Sequence, residues 1–440
     1  MTDQTDQPPT MGIWLTTALV VGTMIGSGIF MLPVSLAPLG MNAVIGWLIS
    51  IVGAVSIAFA FARLSRVSGG GGIQSYIEQA FGPLVGFITT WAFWFSNWTA
   101  VAAVAIAFGA ATSRISPLFG GNTVIILALL SIILLTSVNA MGVKISGRLN
   151  MVTVLIKLLP LLGVALLLTI RLSSGGTLET LAASPSTIGN IATATTLTLF
   201  AMLGFENATT PVGKVRDPQR TLPRALLGGT VAVGILYLAA SSGVTLLLPA
   251  SQVAASPAPY ADVFATYGGE TMVVIAASAI AVSAFGTLLC LILATGELGF
   301  AMALRGQLPA ALARTTTDNT PVVSQAFGST LAIALVLANA SKSTAGLFTF
   351  IILLSTSGIL VVYLAGALAA LRKDNATSTR FIVGIALLFI GFAFYGSGYE
   401  ANAWCLVLLA LGFVTYAVMR RFNSRAPSPA AETVPAAPRE

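Results

Sequence analysis

Val20-Val21-Gly22-Thr23-Met24-Ile25-Gly26-Ser27-Gly28-Ile29-Phe30-Met31-Leu32-Pro33 decides how this chain is read, together with a second stretch, Leu199-Phe200-Ala201-Met202-Leu203-Gly204-Phe205-Glu206-Asn207-Ala208-Thr209-Thr210-Pro211. Each begins as an apolar run, then carries glycine among polar residues, then a proline. An unwound stretch in lipid leaves backbone N–H and C=O groups without partners, at several kcal/mol per group. Such a break survives only where protein, ions or a polar ligand satisfy those groups. Small-residue helix packing would account for the glycines. It does not account for the ionisable Glu206 beside the second break.

Of the 440 residues, 56% are hydrophobic and only 8% charged, against roughly 25% charged in soluble domains. The expected fold class is therefore an all-α membrane protein. At about 20 apolar residues per crossing, the chain accommodates twelve spans, near 13–37, 41–64, 83–112, 122–142, 149–171, 190–214, 222–248, 271–303, 322–340, 345–371, 380–397 and 400–420. The join between the last two is very short. Residues 1–10 are polar and lack the basic region and cleavage site of a signal peptide. They read as a cytoplasmic tail before a single transmembrane domain over 11–421. Residues 422–440, rich in Ala and Pro, read as a second, disordered cytoplasmic tail.

The net charge of +7 could suggest nucleic acid, but its distribution excludes that partner. Of the 21 Lys and Arg, seventeen fall on the side of the N-terminus, only Arg114, Arg171 and Lys342 fall on the other, and Lys157 lies inside span 5. This positive-inside pattern predicts both termini in the cytoplasm, and the expected location is the cytoplasmic (inner) membrane. With no histidine, the usual imidazole relay is missing. Cys290 and Cys405 both fall in expected spans and suggest neither a disulfide nor a metal site. No cofactor is expected. No nucleophile–base pair or nucleotide motif points to an enzyme, and the Gly69–Gly72 run lacks the Gly-Lys-Ser/Thr of a phosphate loop. That run reads as a hinge before a short interfacial helix. The basic, proline-broken loop 214–224 reads as a turn feeding span 7.

The breaks fall in spans 1 and 6, which implies a repeat of five spans, about 13–171 and 190–371. Helices 11 and 12, about 380–420, lie outside it. An odd-numbered repeat inserts with opposite topology, and paired breaks in inverted halves mark the binding site of a secondary transporter.

Three stretches carry a family resemblance: Gly26-Ser27-Gly28-Ile29-Phe30 with Pro33, Tyr76 to Pro83 with its Ala-Phe-Gly-Pro end, and Phe205-Glu206 through Arg216-Asp217-Pro218-Gln219-Arg220-Thr221-Leu222-Pro223. Together they resemble the amino acid–polyamine–organocation (APC) superfamily, most closely its basic amino acid/polyamine antiporter branch, over roughly residues 11–420. The resemblance implies the LeuT-like fold with broken helices 1 and 6.

The first break offers free N–H groups at a half-helix N-terminus, which suits a carboxylate. The family uses this segment for the substrate α-carboxylate, implying that role for Ile25, Gly26, Ser27 and Gly28. Phe200, Ala201 and Leu203 match positions around the α-amino group, with Phe200 where arginine-exchanging members carry a tryptophan. Intramembrane carboxylates are rare and functional by default, which singles out Glu206 and Glu297 for gating or coupling. A lone cation in hydrocarbon costs at least ~2.5 kcal/mol, so Lys157 should face the bundle. In sodium-independent relatives such a lysine stands where sodium-coupled ones bind their ion. Candidates for the side-chain pocket are Phe93, Ser96, Asn97 and Val101 in span 3, Leu291 in span 8, and Ser355 with Tyr363 in span 10. Val101 and Leu291 are apolar where arginine-exchanging members hold a guanidinium.

The expected partners are a small amino acid or amine and the lipid bilayer. The expected activity is transport by alternating access, either amino acid/amine exchange or proton-coupled or facilitated uptake of small neutral amino acids. A non-transporting sensor is the remote alternative. A channel would carry a charged ring or filter, and none is seen. Members of the family are often dimers, and the residues themselves leave a homodimer open.

Overall fold

The computed structural model describes residues 11–67, 72–116, 123–141, 146–206, 215–316 and 319–423. The N-terminal tail, residues 424–440 of the expected C-terminal tail and Gly69–Gly71 of the hinge lie outside the described residues, while Phe422 and Asn423, expected in the tail, continue the last helix. Fifteen α-helices make up the described chain, and the only bridge between extended segments pairs Met11 with Val215. Nine helices among the described residues are long and apolar enough to cross a membrane. They are α3 (Met41–Val67), α5 (Pro83–Ser113), α6 (Thr123–Ala140), α7 (Ser146–Ser173), α9 (Pro218–Leu247), α11 (Pro259–Leu304), α13 (Thr344–Lys373), α14 (Thr377–Gly396) and α15 (Gly398–Asn423). Three shorter apolar helices fall at the remaining expected spans: α1 (Ile13–Met24), α8 (Ile188–Ala201) and α12 (Val322–Ala338). At 1.5 Å per residue, the 12 residues of α1 and 14 of α8 reach only ~18–21 Å, short of the ~30 Å hydrocarbon core.

These helices are apolar on nearly every face, so hydropathy alone does not select which of them is central. Small side chains do. The alanine-rich second half of α5 is buried from Ala102 to Ala107, and α5 runs along both α11 and α13. Gly358 of α13 lets the Phe95 ring approach, where an added Cβ would come within 2.4 Å of it. The periphery is lined with large apolar side chains: Leu155, Leu159, Leu162 and Leu166 on α7, and Leu406, Leu411 and Phe413 on α15, are all exposed. In lipid this outward-facing set is solvated. It also fixes the rotation of α7, turning Lys157, Leu161 and Val164 inward.

The interfacial helix expected after the glycine run is α4 (Gly72–Phe81), packed on α5 and α13. Its Glu78 pairs with Arg305 just beyond α11, at 3.4 Å. The short join at the end of the bundle is Ser397, with Gly398 at φ 76° reversing the chain into α15. Asn402 then donates to the Phe394 carbonyl at 2.7 Å and staples the turn.

The region between expected spans 7 and 8 is more ordered than hydropathy suggested. It holds α10 (Ala250–Ala255) and an extra helical piece, 259–268, set off from the long rod of α11 by Gly269 at φ 69°. Pro259 opens that piece, and Asp262 in its first turn accepts from Ser256 and pairs with Arg114 at 2.7 Å. Asp262 favours the helix N-terminus electrostatically. The piece places Tyr260 edge-on against Phe30, ring centroids 5.4 Å apart. Both rings are buried, at one end of the bundle. The end bearing α4 and the last turns of α11 is the opposite one.

Candidate functional site

The helix α1 stops at Met24. Ile25 (ψ 86°) and Gly26 (φ −92°, ψ 166°) are non-helical, and a single 3-10 turn follows over Ser27–Phe30 before α2 (Leu32–Leu36). Two buried donors satisfy the carbonyls this break frees. The Lys157 ammonium donates to the Ile25 carbonyl, and the Tyr237 hydroxyl of α9 donates to that of Met24 at 3.1 Å. On the other side of the gap, the first N–H groups of the new turn have no intrahelical acceptor.

The second stretch stops being α-helical at Ala201, and Gly204 has φ 116°. A Cβ there would lie 2.4 Å from the Thr23 carbonyl, so the two breaks touch, and only glycine fits the contact. The Gly204 N–H donates to Glu206 Oε2 at 3.0 Å, and the Tyr363 hydroxyl donates to the same oxygen at 2.9 Å. Tyr363 is itself packed between Phe61 and Phe205, centroids 5.5 and 5.6 Å away. Glu206 is thus a buried carboxylate tying the second break to α13.

Two cavities meet at this junction. The inner one, about 120 Å³, is walled by both breaks, α5, α11 and α13; the outer one, about 660 Å³, extends past Lys157 to Gln74 of α4 and Ala301 of α11. They share Thr23, Gly26, Phe93, Asn97, Glu206, Thr287 and Leu291.

Among the residues singled out from the sequence, Gly28, Ser96, Phe200, Ala201, Leu203 and Ser355 line the inner cavity. Ile25, Lys157 and Glu297 line the outer one. Phe200 is buried and lies over Gly28, where a Cβ would come within 2.6 Å of its ring. Ser27 lines neither cavity, and its buried hydroxyl has no hydrogen-bond partner among the described residues. Tyr363 reaches the site only through Glu206. The hydroxyls of Ser96 and Ser355 are committed to each other's backbone carbonyls, at 2.8 and 2.9 Å, and clamp α5 to α13. Val101 is buried away from both cavities, and its expected place is taken by Ala100 and Val104. Helical spacing could have found those two, which continue the face of Phe93, Ser96 and Asn97. Thr287 was also missed, although it lies one turn before Leu291.

A family model for amino acid permeases matches residues 11–424. The chain belongs to the amino acid permease family. The permease is accordingly a multi-pass membrane transport protein of the APC superfamily and not an enzyme. The putrescine transporter PotE of Haemophilus influenzae is 26% identical over 419 residues, which cover 92% of this chain and 96% of that protein. Its Escherichia coli K12 counterpart is 28% identical over 432 residues, 93% and 96% of the two chains. The cadaverine/lysine antiporter of E. coli K12 is 29% identical over 344 residues, 76% of each chain. These relatives fall on the basic amino acid/polyamine antiporter side of the superfamily, where the motifs around Gly26, Tyr76 and Phe205 had pointed.

Proposed function

We propose that this permease exchanges an amino acid and an amine across the membrane by alternating access, with the substrate held where the two broken helices meet. The observation that carries the reading is the inner cavity walled by both Gly26–Gly28 and Phe200–Gly204. N–H groups of the first break would receive a carboxylate, and the last carbonyls of α8 an ammonium. Phe200 covers the site from above Gly28, Asn97 offers an amide to the substrate side chain, and Glu206 with Tyr363 and Phe93 forms the gate. The relatives named as a putrescine transporter and a cadaverine/lysine antiporter support an amine as one partner of the exchange.

The same reading takes the chain as twelve spans, α1–α2 and the α8 break being the first and sixth, in two inverted five-span repeats with α14 and α15 outside them. With the basic loops in the cytoplasm, the outer cavity opens inward and Phe30 with Tyr260 closes the external side. Lys157, on the carbonyl end of the first break, stands in for a metal cation and makes transport independent of sodium.

One feature favours the second reading, uptake of a small neutral amino acid. The inner cavity is small, and Ala100, Val104, Leu291 and Ile359 give it an apolar wall. Counterflow in proteoliposomes separates the two. Labelled putrescine, cadaverine, lysine and leucine are each offered outside, with and without unlabelled substrate inside. Uptake of a diamine or lysine that requires internal substrate supports exchange. Uptake of leucine alone, driven by external acid, supports the neutral-substrate reading. Uptake of none of them removes both.

A further inference from the structure

The outer cavity holds seven polar side chains besides Cys290, and most are engaged or uncharged, Thr23 donating back to its own helix. Lys157 donates to Ile25, and Glu206 accepts from Gly204 and Tyr363. Gln74, Asn97 and Thr287 are neutral. Glu297 differs. It lies on the cavity face of α11 with Thr287, Leu291, Ala294 and Ala301, its side chain is exposed, and it makes no hydrogen bond or ion pair among the described residues. An intramembrane carboxylate that faces a water-filled cavity without a protein partner marks an ion or substrate path. Arg305, just beyond the end of α11, is paired with Glu78.

Glu297 stands ten residues beyond Thr287 on the same helix, about 15 Å along its axis. A four- or five-carbon diamine spans only about 6–7 Å between its nitrogens at ordinary bond lengths. Seated at the Thr287 end of the inner cavity, a single such molecule therefore does not reach Glu297; from Leu291, which also lines that cavity, the carboxylate-bearing residue is about 9 Å along the axis. We propose that Glu297 forms a second, separate subsite in the vestibule, which takes the ammonium group of a cationic amine before it enters, or after it leaves, the central site.

The proposal rests on the transport reading above and adds the class of substrate. The vestibule carries a lysine and an engaged carboxylate at its deep end, Lys157 and Glu206, and a second carboxylate, Glu297, nearer its mouth. It concentrates amine cations and disfavours anions on one side of the membrane only. At the end where Tyr260 meets Phe30, the neighbouring carboxylates of Asp262 and Glu270 both pair with Arg114.

The test measures putrescine exchange in right-side-out and inside-out vesicles for the wild type and Glu297→Gln. The expected result is a rise of about three- to sevenfold in the apparent KM on the α4 side, the range one unit charge at ~7 Å supplies between bulk-water and half-water screening. The KM on the other side should move by less than about twofold, because that route does not pass the carboxylate. If Glu297→Gln fails to fold, raising ionic strength on the wild type reads the same quantity, since screening should lift the α4-side KM preferentially. Equal KM changes on both sides, or no change on either, would overturn the subsite. So would a wild type that exchanges only neutral amino acids, although alternating-access transport would then stand. A wild type that moves no amine or amino acid at all removes the transport reading instead.

Discussion

Replacing Lys157 by methionine separates a transport role from a structural one. The lysine is 2% exposed, and its ammonium donates to the Ile25 carbonyl at the end of α1. Methionine keeps most of the stem and removes the charge. The lost bond is charge-assisted and worth ~1.5–3 kcal/mol. At 1.4 kcal/mol per tenfold, this amounts to a shift of about ten- to a hundredfold in the population of the conformer that uses the bond. Global stability should respond differently. Removing the buried charge relieves its desolvation penalty, which offsets the cost of leaving the Ile25 carbonyl without this donor. The expected outcome for Lys157→Met is therefore exchange reduced about ten- to a hundredfold, with a melting temperature in detergent within a few degrees of wild type. Counterflow in proteoliposomes and a thermal melt read the two quantities. Wild-type exchange together with an unchanged melt would refute the idea that this ammonium governs the break. Wild-type exchange should also proceed equally in sodium and choline buffers.

Three further outcomes follow from named contacts. Gly204→Ala forces a Cβ onto a φ of 116° and to within 2.4 Å of the Thr23 carbonyl. It should cost ~1–3 kcal/mol in backbone strain alone and abolish exchange together with a lowered melting temperature, whereas Gly228→Ala, with open space around it, should change neither. Ser96→Ala and Ser355→Ala should each destabilise by about 1 kcal/mol, with the double variant less than additive because the two hydroxyls form one clamp; a double-mutant cycle on thermal stability reads this. Asp374, in the loop after α13, has its carboxyl held below the usual carboxylate range, first by the Ala376 N–H and then by Thr379 and Arg63. A depressed folded-state value means that its stabilisation is present above the unfolded value of ~3.9 and is lost as pH falls through the folded one. The melting-temperature gap between wild type and Asp374→Asn should thus be open at neutral pH and close in acid.

Much of the site was legible because lipid penalises departures from helix. Glycine, a polar residue and a proline inside an apolar run announce a break, and both breaks expected from residues 20–33 and 199–211 lie where α1 and α8 end. Lys157 and Glu206 were legible for the same reason, since a charge in an apolar segment requires a partner. Other features were not. Ser27 sits in the break yet lines neither cavity, because a 3-10 turn rotates successive side chains by about 120° and sequence does not fix the phase. Ser96 and Ser355 look like polar groups awaiting a substrate, and only their proximity, 259 positions apart, reveals that they bond each other. The helical piece 259–268 was hidden because it is too short for a hydropathy signal.

The sequence by itself determined that the chain crosses the membrane many times, where its helices break, and which few ionisable groups lie at depth. Those features follow from local transfer energies, which composition and order express directly. Tertiary structure alone decided which carbonyl receives Lys157, that Gly204 abuts Thr23, that Phe200 roofs Gly28, and that Glu297 is left facing an open vestibule. In a bilayer the helices are apolar on the core side and the lipid side alike. Hydropathy therefore cannot say which faces meet, and close packing of small side chains, visible only once the helices are assembled, makes that choice.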